Sequence, residues 1–508
     1  MDIAILETRL QEVNDYIKHI EESNPSWLDN VSDEYVYSAQ NLLRYLALRS
    51  RDIREIQAAL VSFGISSLGT SPGYVEENIS RSLGILNLIQ GSSPNMDLSK
   101  SGPGFMASNE LLKSRSMALF RSIKGERRTK IMVTMPEETT DDVSLVEQFL
   151  SVGMDAARIN LSHGDYYMWD KMLDSIMAAG DRLSQQPSIF MDLPGPKIRV
   201  DSLSMIHDDD NGYDKTERIS VTKGDYLELM KETDFLNLER FDKVNDKIIT
   251  VLLPQIIDDI QVGHRVFFDD GAIEAEVISK TSSSSVLKIV KATKKKLGIG
   301  KGINLPDTHL NLPSLTKNDF ELLPYACKNA DMIGYSFVRT HEDVRLLYSK
   351  LSDIGDKDTG VVFKIETREA FENLPSILLE GMKRPNIGVM IARGDLAVEM
   401  GFERISEVKN QIMSICEAAH VPVIWATQVL ENMAKKGLAT RAEISDVILS
   451  GKAECVMLNK GPFMTDTIKT LKNILERMDG HYNKNKNTLR ALEIAKNSIR
   501  SMQNDPTV

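Results

Sequence analysis

The stretch GVVFKIETREAFENLPSILLEGMKRPNIGVMIARGDL (360–396) decides the fold. It opens on a short apolar run, GVVFKIE (360–366), crosses an amphipathic segment, and closes on a second run, IGVMIAR (387–393). Nearly continuous apolar runs joined by a helix-like segment predict buried parallel strands. The same unit recurs on both sides. Before it stand KIMVTM (130–135), DAARIN (155–160), SIFMDL (188–193) and DMIGYSFV (331–338); after it come VPVIWATQ (421–428) and ECVMLNK (454–460). Helix-like segments such as EDVRLLYSKL (342–351) and ERISEVKNQIMSICEAA (403–419) fill the gaps. Eight such units predict an α/β chain folded as a closed (β/α)8 TIM barrel, not an open sheet.

One gap has another texture. ISVTKGDYLELM (219–230), RVFFDDGAIEAEVI (265–278) and SSSVLKIVKAT (283–293) alternate as antiparallel strands do. A structureless loop of that length is improbable, so an inserted β domain is expected at 202–301. Removing it leaves 126–201 and 302–480, about 250 residues, the usual size of a barrel. Residues 1–125 read as an N-terminal α-helical region, with Leu6, Leu10 and Val13 at helical spacing. QGSSPNMDLSKSGPG (90–104) reads as a linker. GISSLGTSPGYVEENI (64–79) suits either a helical hairpin for docking or oligomerisation, or an appendage covering the barrel bottom. The tail 481–508 reads as helical.

Composition narrows the function. Lys+Arg is 61 against Asp+Glu 73, a net charge of −12, which argues against a nucleic-acid binder. The three cysteines, Cys327, Cys416 and Cys455, fit no zinc spacing and cannot all pair, as expected of a reducing, cytoplasmic protein. The acidic N-terminus lacks the layout of a signal peptide, and no apolar run is long enough to cross a bilayer.

Barrel chemistry gathers at the C-terminal ends of strands. Those ends carry Arg158, Asn160, Ser162 and His163; Asp192 and Arg199; Ser336 and Arg339; Lys364 and Glu366; Arg393, Gly394 and Asp395; and Thr427 and Gln428. Lys364 and Glu366 are two apart on one strand and face the same way. Glu366 and Asp395 are suited to supply two oxygen ligands to Mg²⁺, which completes its octahedron with water and substrate phosphate. Lys364 then faces the same substrate as a point charge for a developing oxyanion. A structural ion pair is the competing account of that lysine. Arg158 and Arg199, on neighbouring strand ends, suit phosphate, or else rim salt bridges with Asp192. His163 suits a structural hydrogen bond as well as a ligand contact, and Thr427 suits a helix cap as well as a proton relay.

In this order, TKIMVT (129–134), GMDAARINLSHG (153–164), MDLPGPKIR (191–199), DDG (269–271), KGINLP (301–306), FKIE (363–366), MIARGDLAVE (390–399), PVIWATQVLENM (422–433) and TRAEISDV (440–447) resemble the pyruvate kinase family over about 129–480. The resemblance implies phosphoryl transfer from phosphoenolpyruvate to ADP, giving pyruvate and ATP, with the inserted domain as a lid. It implies Lys364, Thr427 and Arg158 as catalytic residues. Gly394 and Asp395 would join them in holding substrate, and Asn160, His163, Arg199 and Lys301 would hold the nucleotide. Glu366 and Asp395 would carry Mg²⁺ or Mn²⁺, and Asn160, Ser162 and Asp192 a monovalent cation.

The sequence departs from the family at several points. Lys197 stands where potassium-dependent members have Glu, so its ammonium is expected to replace K⁺. The first-strand loop is Met135-Pro136-Glu137-Glu138, and Leu193-Pro194 replaces the usual Thr-Lys. The eighth strand leads into Asn459-Lys460-Gly461-Pro462 rather than Ser-Gly-Glu-Thr. Only 28 residues follow Gly480, too few for the family's C-terminal domain. The expectation is therefore a homo-oligomer other than the usual tetramer, without sugar-phosphate regulation through that domain. The altered loops keep two alternatives open: a non-catalytic metabolite-binding or regulatory homologue, and a related Mg²⁺-dependent phosphoenolpyruvate enzyme with another acceptor.

Overall fold

The computed structural model describes residues 1–91, 103–121, 127–206, 213–233, 247–483 and 486–487. Eight parallel strands close into a barrel: β1 (Lys130–Thr134), β2 (Ala156–Asn160), β3 (Ser188–Asp192), β4 (Met332–Tyr335), β5 (Gly360–Ile365), β6 (Ile387–Ala392), β7 (Val423–Ala426) and β8 (Cys455–Leu458). Each pairs in parallel with its neighbours in the chain, and β1 pairs with β8 to shut the cylinder.

The period of two sorts each strand into two faces. Val362, Met390 and Ile424 share a small interior cluster with Met132, Phe190 and Met332. Val361, Phe363, Ile365, Val389 and Val423 belong to the main core outside the barrel wall. This is why the interior face of β5 ascends from Val362 through Lys364 to Glu366 at the mouth.

The N-terminal region is helical: α1 (Ile3–Ser23), α2 (Val36–Arg49), α3 (Arg54–Ser62), α4 (Val75–Ile89) and α5 (Phe105–Leu119). At the end of α5, Leu119 and Phe120 join the interior cluster and close the bottom of the barrel. A β-carbon added to Gly360 or Gly388 would come within 2.9 Å or 2.7 Å of Leu119, so these two glycines make room for the plug. The segment 64–79 docks inward. Asn41 in α2 donates to the carbonyls of Pro72 (2.7 Å) and Ala418 (2.8 Å), and the His420 ring, held by Ser38 and Ser108, meets the Gly73 carbonyl at 2.9 Å. The segment thus packs against the chain that leads into β7.

The insert between β3 and β4 forms its own sheet of eight strands, from Ile303–Asn304 at one edge to Tyr213–Thr216 at the other. Its core includes Leu227, Leu229, Val266, Phe268 and Val277. Ile273–Lys280 alternates buried and exposed positions as one-sided strands do. The sheet is antiparallel except between Tyr226–Met230 and Lys247–Val251, which run parallel. Of the linker expected at 90–104, residues 92–102 lie outside the described residues. The helical tail expected at 481–508 also lies outside them, apart from a short antiparallel pair, Tyr482–Asn483 with Lys486–Asn487. Among the described residues, no helix is long and apolar enough to cross a membrane.

Candidate active site

Lys364 is buried at the mouth of the barrel. Its Nζ lies 3.0 Å from Asp192 Oδ1 and 3.3 Å from Glu366 Oε1, and it donates to Ser336 Oγ at 2.7 Å. Ser336 in turn donates to the Leu193 carbonyl at 2.6 Å, which fixes its hydroxyl as an acceptor for the ammonium. Arg158, on the other side, donates from Nε (3.0 Å) and Nη2 (2.5 Å) to Asp192 Oδ2, and from Nη1 to Thr134 Oγ1 (2.9 Å). Glu366 Oε2 accepts from the Phe337 amide at 2.8 Å.

Burial and charge compete at each group. Burial would raise the carboxyl of Asp192, yet Lys364 and Arg158 overcome it and hold its pKa below the ordinary value. Burial would lower the pKa of the Lys364 ammonium, but Asp192 and Glu366 raise it, so the lysine is charged. Glu366 goes the other way: burial raises it, Lys364 opposes, and the charge of Asp395 adds to the rise. Two carboxylates thus feel each other's negative field across the ends of β5 and β6. A divalent cation would relieve that field. The donors are hard oxygens, and among the described residues no group of three or more His, Cys, Asp or Glu is placed to hold a metal ion by itself. Such a pair fits Mg²⁺, which draws its remaining ligands from water and substrate, and not a closed protein cage.

Asp395 is engaged elsewhere too. Lys197, at the entrance to the insert, is 3.0 Å from both of its oxygens. The structure therefore brings Lys197 to Asp395 and not to Asp192. The three residues expected to ligate a monovalent ion already have protein partners. Asn160 pairs in register with Asp192, but its Oδ1 accepts from the Ser162 amide at 3.1 Å, Ser162 is exposed, and Asp192 faces Arg158 and Lys364.

Thr427 does not cap the following helix. Its Oγ1 accepts from the Gly394 amide at 2.8 Å, which joins the end of β7 to the first turn of the helix Arg393–Met400 that carries Asp395. Asn160 and His163 line a cavity of about 280 Å³ with Arg158, Lys435 and Lys460. Burial lowers the pKa of His163, and the charges of Lys460 and Arg199 lower it further while Glu137 opposes them, so the ring is neutral; Lys460 and Lys435 are themselves paired with Glu137 and Glu431. Arg199 donates to the Gly300 carbonyl at 3.0 Å and takes no part in the Asp192 cluster. Lys301 is on the insert, 3.0 Å from Asp269.

Two residues outside the expected set link insert and barrel. Asn304 Nδ2, on the last insert strand, donates to Glu399 Oε1 at 3.2 Å. Glu399 is four residues beyond Asp395 on the helix Arg393–Met400, a one-turn spacing that was available as a signal in the sequence. Burial pushes its carboxyl up to about 7. The folded state therefore binds its proton more tightly than the unfolded chain. The Glu399 contribution is fully favourable below the ordinary carboxylate value and is lost as pH rises to about 7. Glu399→Gln, which keeps an acceptor for Asn304, is expected to stabilise the protein above that pH by up to about 3 kcal/mol and to change little at about pH 4. Urea midpoints measured on both sides of the transition check this.

The family model for the pyruvate kinase barrel domain matches residues 126–463. Pyruvate kinase 1 of Trypanosoma brucei brucei is 30% identical over 375 residues, covering 72% of this chain and 70% of that protein. The pyruvate kinase of Kluyveromyces lactis is 32% identical over 355 residues, covering 68% and 66%. That of Bacillus licheniformis is 31% identical over 370 residues, covering 71% and 58%. On the extent of the barrel match and these identities, the chain belongs to the pyruvate kinase family.

Proposed function

We propose that the protein transfers a phosphoryl group from phosphoenolpyruvate to ADP, with Mg²⁺, giving pyruvate and ATP. The observation that carries this is the buried ammonium of Lys364, held charged between Asp192 and Glu366 at the mouth of the barrel. A pseudo-enzyme gains no stability from such a group, since buried ion pairs are often no better than apolar replacements.

In the reaction the bond from phosphorus to the enol oxygen breaks and a bond to a terminal oxygen of ADP forms. The enolate left behind takes a proton at its methylene carbon to become pyruvate. Lys364 would contact the transferring phosphoryl group and then stabilise the enolate oxygen, needing little rearrangement because its partners already fix it. Arg158, oriented by Asp192 and Thr134, would donate to phosphate with a planar fork. Thr427 and Gly394 would border the substrate, with the Thr427 hydroxyl in the path of the proton. His163, Asn160, Arg199 and Lys301 would border the nucleotide. Glu366 and Asp395 would hold Mg²⁺, which neutralises phosphate charge when bound. Lys197 supplies a fixed positive charge at the entrance to the insert, so turnover would not need added K⁺.

The test is pyruvate formation from phosphoenolpyruvate and ADP, coupled to NADH oxidation. Turnover should require Mg²⁺ or Mn²⁺, stop on chelation, and be unchanged when K⁺ is omitted. No pyruvate above background with the divalent ion present would sink the proposal; a strict K⁺ requirement would remove the role given to Lys197.

A further inference from the structure

The turn after β7 is strained. Thr427, Gln428 and Leu430 have φ of 61°, 54° and 48°, all in the left-handed region. Outside glycine such a conformation costs about 1–2 kcal/mol per residue, and a β-branched threonine is especially ill suited to it. One side chain spans the turn. Arg393, buried at the start of the helix Arg393–Met400, donates from Nε to the Ala426 carbonyl (3.0 Å) and from Nη2 to the Thr427 carbonyl. Its Nη1 donates to Asp446 Oδ2 at 2.5 Å. The guanidinium also lies 5.0 Å from the centre of the Trp425 ring, and Lys409 Nζ is 4.7 Å from the same ring and 3.7 Å from Asp446.

We propose that Arg393, fixed by Asp446 and by the face of Trp425, is a positioning residue for Thr427: it imposes the left-handed turn that presents the Thr427 hydroxyl to Gly394 and Asp395 in the first turn of the helix Arg393–Met400. The inference rests on the proton-relay role proposed for Thr427 and adds the device that aims it. A lysine cannot do the same work. Three donors directed to two successive carbonyls and a carboxylate require the rigid fork of a guanidinium. The aromatic face adds attraction because the cation is desolvated there. Without the clamp the turn relaxes, and the hydroxyl leaves the Gly394 amide while the phosphate-binding side of the mouth stays intact.

Arg393→Lys should therefore lower kcat about 10²-fold, the scale of a misplacement of about 1 Å, with KM for phosphoenolpyruvate nearly unchanged. Exchange of pyruvate methyl protons with solvent, which isolates the enolate protonation, should slow by the same factor. Asp446→Asn, which removes the charge but keeps a similar shape, should move both quantities in the same direction by a smaller factor, and serves if Arg393→Lys fails to fold. Crystal structures of both variants give a readout independent of turnover, in which the Thr427–Gly394 hydrogen bond is lost. Retention of that bond and of the left-handed φ at Thr427 in both variants would overturn the inference. So would a rise in KM at constant kcat. If the parent makes no pyruvate, the proposed reaction falls, while the crystallographic comparison still decides whether Arg393 holds the turn.

Discussion

Replacing Lys364 by methionine should lower kcat for pyruvate formation by at least about 10³-fold, because the substitution removes the charge that faces the enolate in the transition state. Methionine has nearly the length of the lysine stem, so the loss is one of charge and not of bulk. The rate of methyl-proton exchange in pyruvate should fall in parallel, since the same enolate forms in that reaction. Asp192 keeps Arg158 as a partner, but Glu366 loses its nearest cation and becomes harder to ionise. A stability cost of about 3 kcal/mol is expected from an acid left buried without its partner. Urea unfolding of the variant separates this from the catalytic loss: a folded variant with kcat above a tenth of the parent's would contradict the role of Lys364. A structural ion pair alone would give the stability loss without the loss of exchange.

Phe120→Ala should be the most damaging substitution outside the site, costing about 3–5 kcal/mol. Phe120 and Leu119 are nearly inaccessible and fill the base of the barrel against Met132, Phe190 and Met332. Deleting the ring leaves a cavity that the surrounding strands, paired all round the cylinder, cannot collapse to fill. Leu119→Ala should cost about 2–5 kcal/mol for the same reason. Ile5→Ser, on an exposed position of α1, should stay within about 0.5 kcal/mol and serves as the control. Urea midpoints with unchanged slopes are the measurement. If Phe120→Ala unfolded at the parent's midpoint, the N-terminal region would be a passenger and not part of the barrel's core.

Both predictions depend on features of different legibility. The barrel, the insert and the shared direction of Lys364 and Glu366 were readable because hydrophobic runs and strand alternation are local properties of the chain. The rim was readable for a similar reason: a closed parallel barrel sends every strand end to one face, so Arg158, Asp192, Lys364, Asp395 and Thr427 had to meet there. The parallel pair within the insert was not readable, because pairing direction depends on how distant strands meet and leaves no mark in the local alternation.

Within the site, residue types were legible and pairings were not. The sequence placed Lys197 near the mouth but could not say that its ammonium would reach Asp395, 198 positions away, in preference to Asp192. Nor could it show that Arg199 stays with Gly300, or that Arg393 would span the turn after β7 to meet Asp446. The helices of residues 1–91 announced themselves by their spacing, yet only the folded molecule revealed that α5 ends as the plug of the barrel. What the sequence by itself determined was the order of strands and helices and the end at which chemistry gathers, since these follow from periodicity along the chain. The tertiary structure alone decided which charge neutralises which. Side chains far apart in sequence choose partners by distance, direction and desolvation, and those exist only once the barrel has closed.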